Sequence, residues 1–191
     1  MKLEEKQIQE LNYLYEQGCS KMKGLILLNG YRPQAIGFFE RRRANKAIEL
    51  FKQVVAIIPD HFQSLFFIGK LYQRLKEYEK ALNYFEIALK FEHTHHSLPQ
   101  EASLMAMHLH QIDKAIRYSA ESVKRKPDHY VLLGNHAMNL LIAGFEMEAK
   151  ETIDRAISIN QTDKINQVVK SKIEDVISGK VKRPTFEQSL G

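Results

Sequence analysis

Residues 91–99 read FEHTHHSLP, which places His93, His95 and His96 within four positions. Imidazoles so close together suggest metal ligation, because three or four nitrogen or oxygen donors converging on one point can hold zinc or a related ion. The nearest further donors, His108 and His110, stand two apart on what reads as a helix and so point in different directions. No converging set is apparent, and the expectation is a histidine-bearing turn with no metal and no cofactor. Catalytic patterns are scarcer still: the chain carries no phosphate-cradling Gly-rich loop, no HExxH and no nucleophile elbow. Cys19 has no sequence neighbour that would activate its thiol. The acidic pairs Glu4/Glu5 and Glu146/Glu148 read as solvent-facing helix residues rather than an acid–base pair, so no catalytic residue is assigned and an enzyme is not expected.

Composition narrows the class. With 44% hydrophobic and 27% charged residues, 191 residues suffice for one compact domain or a short repeat array with an apolar interior, and the chain is too apolar for intrinsic disorder. A single cysteine excludes an internal disulfide and fits a reducing compartment, so a cytoplasmic protein is expected. The N-terminal MKLEEKQIQELNYLYEQG reads as an amphipathic helix rather than a signal peptide. The longest apolar run, LILL at 25–28, falls far short of the about 20 residues a membrane span requires. A net charge of +5 allows contact with nucleic acid, but the basic clusters (Arg41–Arg43, Lys124–Lys126, and Lys180, Lys182 and Arg183) lie far apart in sequence without interleaved aromatics. They read as solvated surface charge, and nucleic acid is the weaker expectation.

A self-alignment at a shift of 34 stacks Ala47, Ala81, Ala115 and Ala149 in one column without a gap. Further columns hold the small residues Ala35, Gly69, Ser103 and Ala137, then Val54, Ala88, Ser122 and Ala156, then Pro59, His93, Pro127 and Gln161. In the clearest unit, Leu65, Ile68, Gly69 and Tyr72 recur at helical spacing, followed by a second helical set of Tyr78, Ala81, Leu82, Phe85, Ala88 and Leu89. Small residues at fixed offsets mark where two helix axes come closest. Pro59 and Pro127 stop helices, Asp60 with Gln63 and Ser97 with Gln100 have the spacing of capping boxes, and Asp128 repeats the Asp cap. His93 and His95 share columns with Pro59 and His61, so HTHH is expected to be the turn between two repeats.

This period and these columns resemble the tetratricopeptide repeat over residues 25–161. The resemblance implies an all-α, right-handed superhelix, an α-solenoid of about four helix pairs forming a single domain over 1–191. The flanks are expected to be an N-terminal helix region at 1–24, with a helix from about Leu3 to Gln17, and a capping helix within 162–179 closed by Gly179. Residues 180–191 read as a flexible tail. Asn29, Gly30, Pro33 and Gly37 should leave the first helix of the first unit short, shifted or kinked. Ala106 and Ser119 should leave the 96–129 unit thinly packed, because the pattern places large residues there.

What the resemblance implies for function is recognition by a groove lined by the first helix of each unit. Carried over by position, that groove comprises Phe66, Phe67, Lys70, Gln73 and Arg74, then Gln100, Glu101, Leu104, Met107 and His108, then Val131, Asn135, Met138, Leu141 and Ile142. The carboxylate clamp that some members use on chaperone tails would fall on Arg32, Ile36, Phe67, Ser97 and Glu101, which cannot supply it. The expected partner is a protein or peptide client with an apolar segment, held by a scaffold or chaperone-like adaptor, with a homo-oligomer also compatible. A looser resemblance is to small repeat chaperones of bacterial secretion systems.

Overall fold

A computed structural model describes residues 4–28 and 35–189. Asn29, Gly30, Arg32 and Pro33, on which the expectations for the first unit and the clamp partly rest, lie outside the described residues. Among the described residues the chain is all helical, and it divides into two compact units, Met1–His93 and Thr94–Gly191. The division falls within the FEHTHHS turn.

The first unit contains α1 (Glu5–Met22), α2 (Phe38–Ile57), α3 (Phe62–Arg74) and α4 (Tyr78–Leu89), with α1 packed on α2, α2 on α3 and α3 on α4. The Leu3–Gln17 expectation is therefore corrected: α1 runs five residues further and pairs with α2 rather than capping the end. The reason is Gly18. A Cβ there would stand 2.7 Å from Cε1 of Phe51, just as a Cβ at Gly69 would stand 2.5 Å from Cε1 of Phe85. Phe51 and Phe85 are a 34-residue pair, so Gly18 fills the closest-approach position that the sequence columns gave to Ala35. Ala35 is exposed and outside any helix. The first pair is thus α1 with α2.

Polar contacts anchor the start of that connection. Leu25 is buried, its carbonyl accepts from Arg74 Nε at 3.1 Å, and the carbonyl of Lys23 accepts from an Arg43 guanidinium nitrogen at 2.7 Å. Arg74 also lies 3.7 Å from the Glu40 carboxylate.

The second unit contains α5 (Ser97–His108), α6 (Ile112–Arg125), α7 (Tyr130–Ala143), α8 (Glu146–Ile159), α9 (Lys164–Ile177) and the single turn α10 (Phe186–Ser189). Each of α5 to α8 packs on the next helix, and α9 also meets α7. Both bounds of α9 fall 34 residues after those of α7, so α9 stands as the first helix of a further repeat. Asn166 on α9 donates to the carbonyl of Tyr130 at 3.1 Å, and its side chain occupies the space a Cβ on Gly134 would need. Asp154 on α8 is shared by Lys150 and Lys170 at 2.8 and 2.5 Å, which ties α9 to α8 and holds the Asp154 carboxyl below the usual carboxylate range. Gly179, at φ +73°, closes α9 with a Schellman turn in which its own N–H meets the carbonyl of Val176 and the N–H of Lys180 meets that of Asp175.

Several expectations about local structure need correction. The cap of α3 is His61, whose Nδ1 accepts from the N–H of Ser64 at 3.3 Å, rather than Asp60. The caps of α5 and α7 are His96 and His129, neither with a side-chain cap bond, so Ser97 is the first helical residue and Asp128 lies outside the helix. The 96–129 unit is not thin. Ser119 is fully enclosed 2.8 Å from His136 Nδ1, Asn139 donates to Ser103 Oγ at 2.9 Å, and Ser103 Oγ donates to the carbonyl of Ala115 at 2.8 Å. Polar side chains bonded to one another fill the volume that larger apolar ones would occupy.

Gly18 gives a test by sign. On an unpacked flanking helix, Gly18→Ala would stabilise by up to about 1 kcal/mol through helix propensity. Against the enclosed Phe51 ring it overpacks, and a net loss of about 1–2 kcal/mol is expected, read as a lower thermal midpoint.

Candidate peptide-binding face

The first helices of each pair carry the positions singled out in the sequence, and the two units treat them differently. In the first unit, on α3, Phe66 is buried among Phe62, Phe67 and Phe85, with ring centroids 5.8–6.2 Å away. Phe67 is half-buried, 5.4 Å from the Phe51 ring and stacked 6.3 Å from Tyr15. Lys70, Gln73 and Arg74 are all buried and all engaged in polar contacts. Arg74, tied to the carbonyl of Leu25, holds the connection after α1. This face is filled by the unit's own side chains.

In the second unit, on α5, Glu101 and Met107 are buried, Gln100, Leu104 and His108 are half-buried, and Gln100 Oε1 is enclosed with no protein donor. On α7, Leu141 is wholly inside the core with Leu133, Ile153 and Ile173. Met138 and Ile142 are half-buried, while Val131 and Asn135 are exposed. The accessible part of this face is therefore a mixed strip, Leu104 and His108 on α5 with Val131, Asn135, Met138 and Ile142 on α7. Met107 and Leu141 on the same two helices are enclosed.

The C-terminal segment departs from its sequence-based expectation. Rather than trailing as a flexible tail, residues 183–189 return to the second unit. Phe186 is only 6% exposed and stands edge-on to the His108 ring, centroids 4.9 Å apart at 89°. Residues 190 and 191 lie outside the described residues.

The histidines of the opening turn do not gather into a metal-ligand set: among the described residues no group of three His, Cys, Asp or Glu side chains converges. His96 instead faces the His129 ring at 5.6 Å, and the carbonyls of His95 and His96 accept from Arg125 Nη1 at 3.0 Å and Ser122 Oγ at 2.8 Å. The turn is held by its backbone. Burial pushes the Cys19 thiol up, and it pushes the phenol of neighbouring Tyr15 up to about 12, so neither is poised as a nucleophile or base. No helix among the described residues is long and apolar enough to cross a membrane.

Comparison with known proteins agrees with this helix-pair geometry. Residues 62–92, covering α3 and α4, match the tetratricopeptide repeat family model. The fold is that of a tetratricopeptide-repeat protein. Among similar solved structures, a tetratricopeptide repeat protein from Parabacteroides merdae aligns at TM-score 0.73 and 15% identity, over 90% of this chain and 61% of its own. YrrB, a TPR protein described as having an unusual peptide-binding site, aligns at 0.65 and 14% identity, over 77% and 75%. The first TPR of Spaghetti (RPAP3), solved with an HSP90 peptide, aligns at 0.58 and 14% identity, over 61% and 93%. No match is found among curated protein sequences.

Four histidines, His61, His96, His129 and His136, are held below the usual imidazole range by burial, with Lys126 adding to the effect at His96 and His129. The folded chain keeps them neutral, whereas the unfolded chain protonates near the ordinary value of about 6.5. Stability from these groups is therefore complete above about pH 6.5 and is lost as pH falls from there toward their lowered folded values. Thermal midpoints should decline from pH 7.5 to 5.5, and His136→Gln should flatten the decline.

Proposed function

We propose that this repeat protein is a non-enzymatic interaction scaffold that binds an extended or helical segment of a client protein on the first-helix face of its second unit. The observation that carries the reading is that Leu104, Met138 and Ile142 are half-buried and Val131 and Asn135 exposed on the first helices of the second unit, while Met107 and Leu141 on the same helices are enclosed. Half-exposed aliphatic and thioether groups beside amides suit an apolar segment with a few polar contacts. The likeness to repeat proteins whose solved forms carry or describe peptide sites supports the same class of partner. A chaperone-like or adaptor role in the cytoplasm is the setting proposed for it.

Nucleic-acid binding through the basic clusters is the weaker reading because many of those charges serve internal contacts. Arg43 bonds the Lys23 carbonyl, Arg125 bonds Glu121 and the His95 carbonyl, Lys180 bonds Asp175, and Arg183 faces Glu146. The charges left over fall in three stretches well apart in the sequence, whereas phosphate binding needs a continuous track.

The test selects peptides from a random display library on the wild-type chain and measures them against a Leu104→Asp, Val131→Asp double variant. Both positions reach solvent, so the variant should keep its thermal midpoint within a few degrees. An apolar segment meeting two new carboxylates should lose affinity at least ten-fold. Equal affinity for a folded variant would place the client elsewhere.

A further inference from the structure

Residues 183–189 have the attributes of a ligand rather than of a structural strut. Gly179 reverses the chain after α9, and only a few residues later Arg183 lies across Gly144, its Nη1 3.7 Å from Glu146 Oε1. Phe186 packs edge-on against His108, and Glu187 Oε1 stands 3.5 Å from His110 Nε2. The segment forms its own turn: the N–H of Thr185 donates to Gln188 Oε1 at 3.0 Å, and Ser189 Oγ donates to the carbonyl of Phe186 at 2.6 Å. Three side chains in a row of five thus find three different partners, one acidic, one aromatic and one basic when protonated.

Those partners come from two equivalent places in the repeat. His110 and Gly144 are 34 residues apart, both at positive φ (+55° and +92°), each ending the first helix of its pair. His108 precedes the first of these turns and Glu146 follows the second. A surface assembled from successive helix turns, engaging one aromatic anchor and two flanking charges, has the form of a peptide-recognition site with a central anchor.

We propose that His108, His110, Gly144 and Glu146 form a peptide site, and that Arg183–Glu187 is its tethered resident ligand. A client displaces this segment with one of the same order: a base, an aromatic residue three positions on, and an acid immediately after it. This deepens the scaffold reading and rests on it. The short tether sets a local concentration on the order of millimolar, so a free peptide must outcompete the tail before it binds. Only clients tighter than that, or clients met when the tail is released, gain the site.

The experiment uses the full chain and a fluorescein-labelled peptide of sequence VKRPTFEQSLG, followed by fluorescence anisotropy. The wild-type chain should bind it weakly. The Phe186→Ser chain, whose tail has lost its anchor, should bind it at least ten-fold tighter, and adding His108→Ala should remove most of that gain. A control peptide with serine in place of phenylalanine should bind neither chain. Arg183→Glu, at an exposed position, is a second way to loosen the tail and should also raise peptide affinity, by several-fold. No gain in either loosened chain, or equal binding of the serine peptide, would overturn the proposal. Loss of cooperative unfolding in both loosened chains would also overturn it, by making the segment part of the core. Failure here with retention of the peptides selected on Leu104 and Val131 would reject the tethered ligand while leaving the scaffold reading standing.

Discussion

A glycine facing an aromatic ring sets how closely the two helices of a pair can approach, and the first unit is built outward from that contact. Gly18 meets Phe51 and Gly69 meets Phe85, each ring wholly enclosed. In the second unit the corresponding positions are Ser103 with Ser119 and Ala137 with Ile153. The glycine forfeits about 1 kcal/mol of helix propensity, and the enclosed ring more than offsets it through the apolar area removed from water. Once the pair is closed, Val54 on α2, Ser122 on α6 and Ala156 on α8 leave those second helices narrow enough for the next helix to lie against them.

The second unit meets the same constraint with polar means. Ser119 and His136 divide between them the space that a phenylalanine fills in the first unit. The serine hydroxyl has one proton, and giving it to the carbonyl of Ile116 at 3.0 Å leaves Oγ to accept from Nδ1–H of a neutral His136. That arrangement packs without a large side chain, and it makes the unit sensitive to protonation. His136 lies on α7, the helix that carries Val131, Asn135, Met138 and Ile142, so the polar interior and the candidate binding face share that helix.

Much of the architecture was legible because the contacts that build it repeat. Ala47, Ala81, Ala115 and Ala149 are all fully enclosed, and the period that aligns them locates the second helices to within a residue or two. The first pair was misread because its inserted connection moves the first helix out of register by 17 residues, from Ala35 to Gly18. The overlooked signal was Leu14 four residues before Gly18, the spacing of Leu65 and Gly69. Caps were misplaced by one residue because His61, His96 and His129 took the position assigned to Asp or offset from Ser. The groove was the least legible part. Position in the repeat selects which side chains face inward, but not whether the unit's own residues already cover them, as at Phe66 and Arg74. The tail gave no sign because one phenylalanine among polar residues has no periodicity to read.

The claim on which the rest depends is that α1 is a full member of the array, closed on α2 through Gly18 and Phe51. Nuclear Overhauser spectroscopy on the labelled chain tests it directly, since the Gly18 α-protons should lie within about 5 Å of the Phe51 ring. Strong cross-peaks between them, with slow amide exchange from Leu11 to Met22, are the predicted result. Their absence, with those amides exchanging at the rate of an unstructured peptide, would contradict the account.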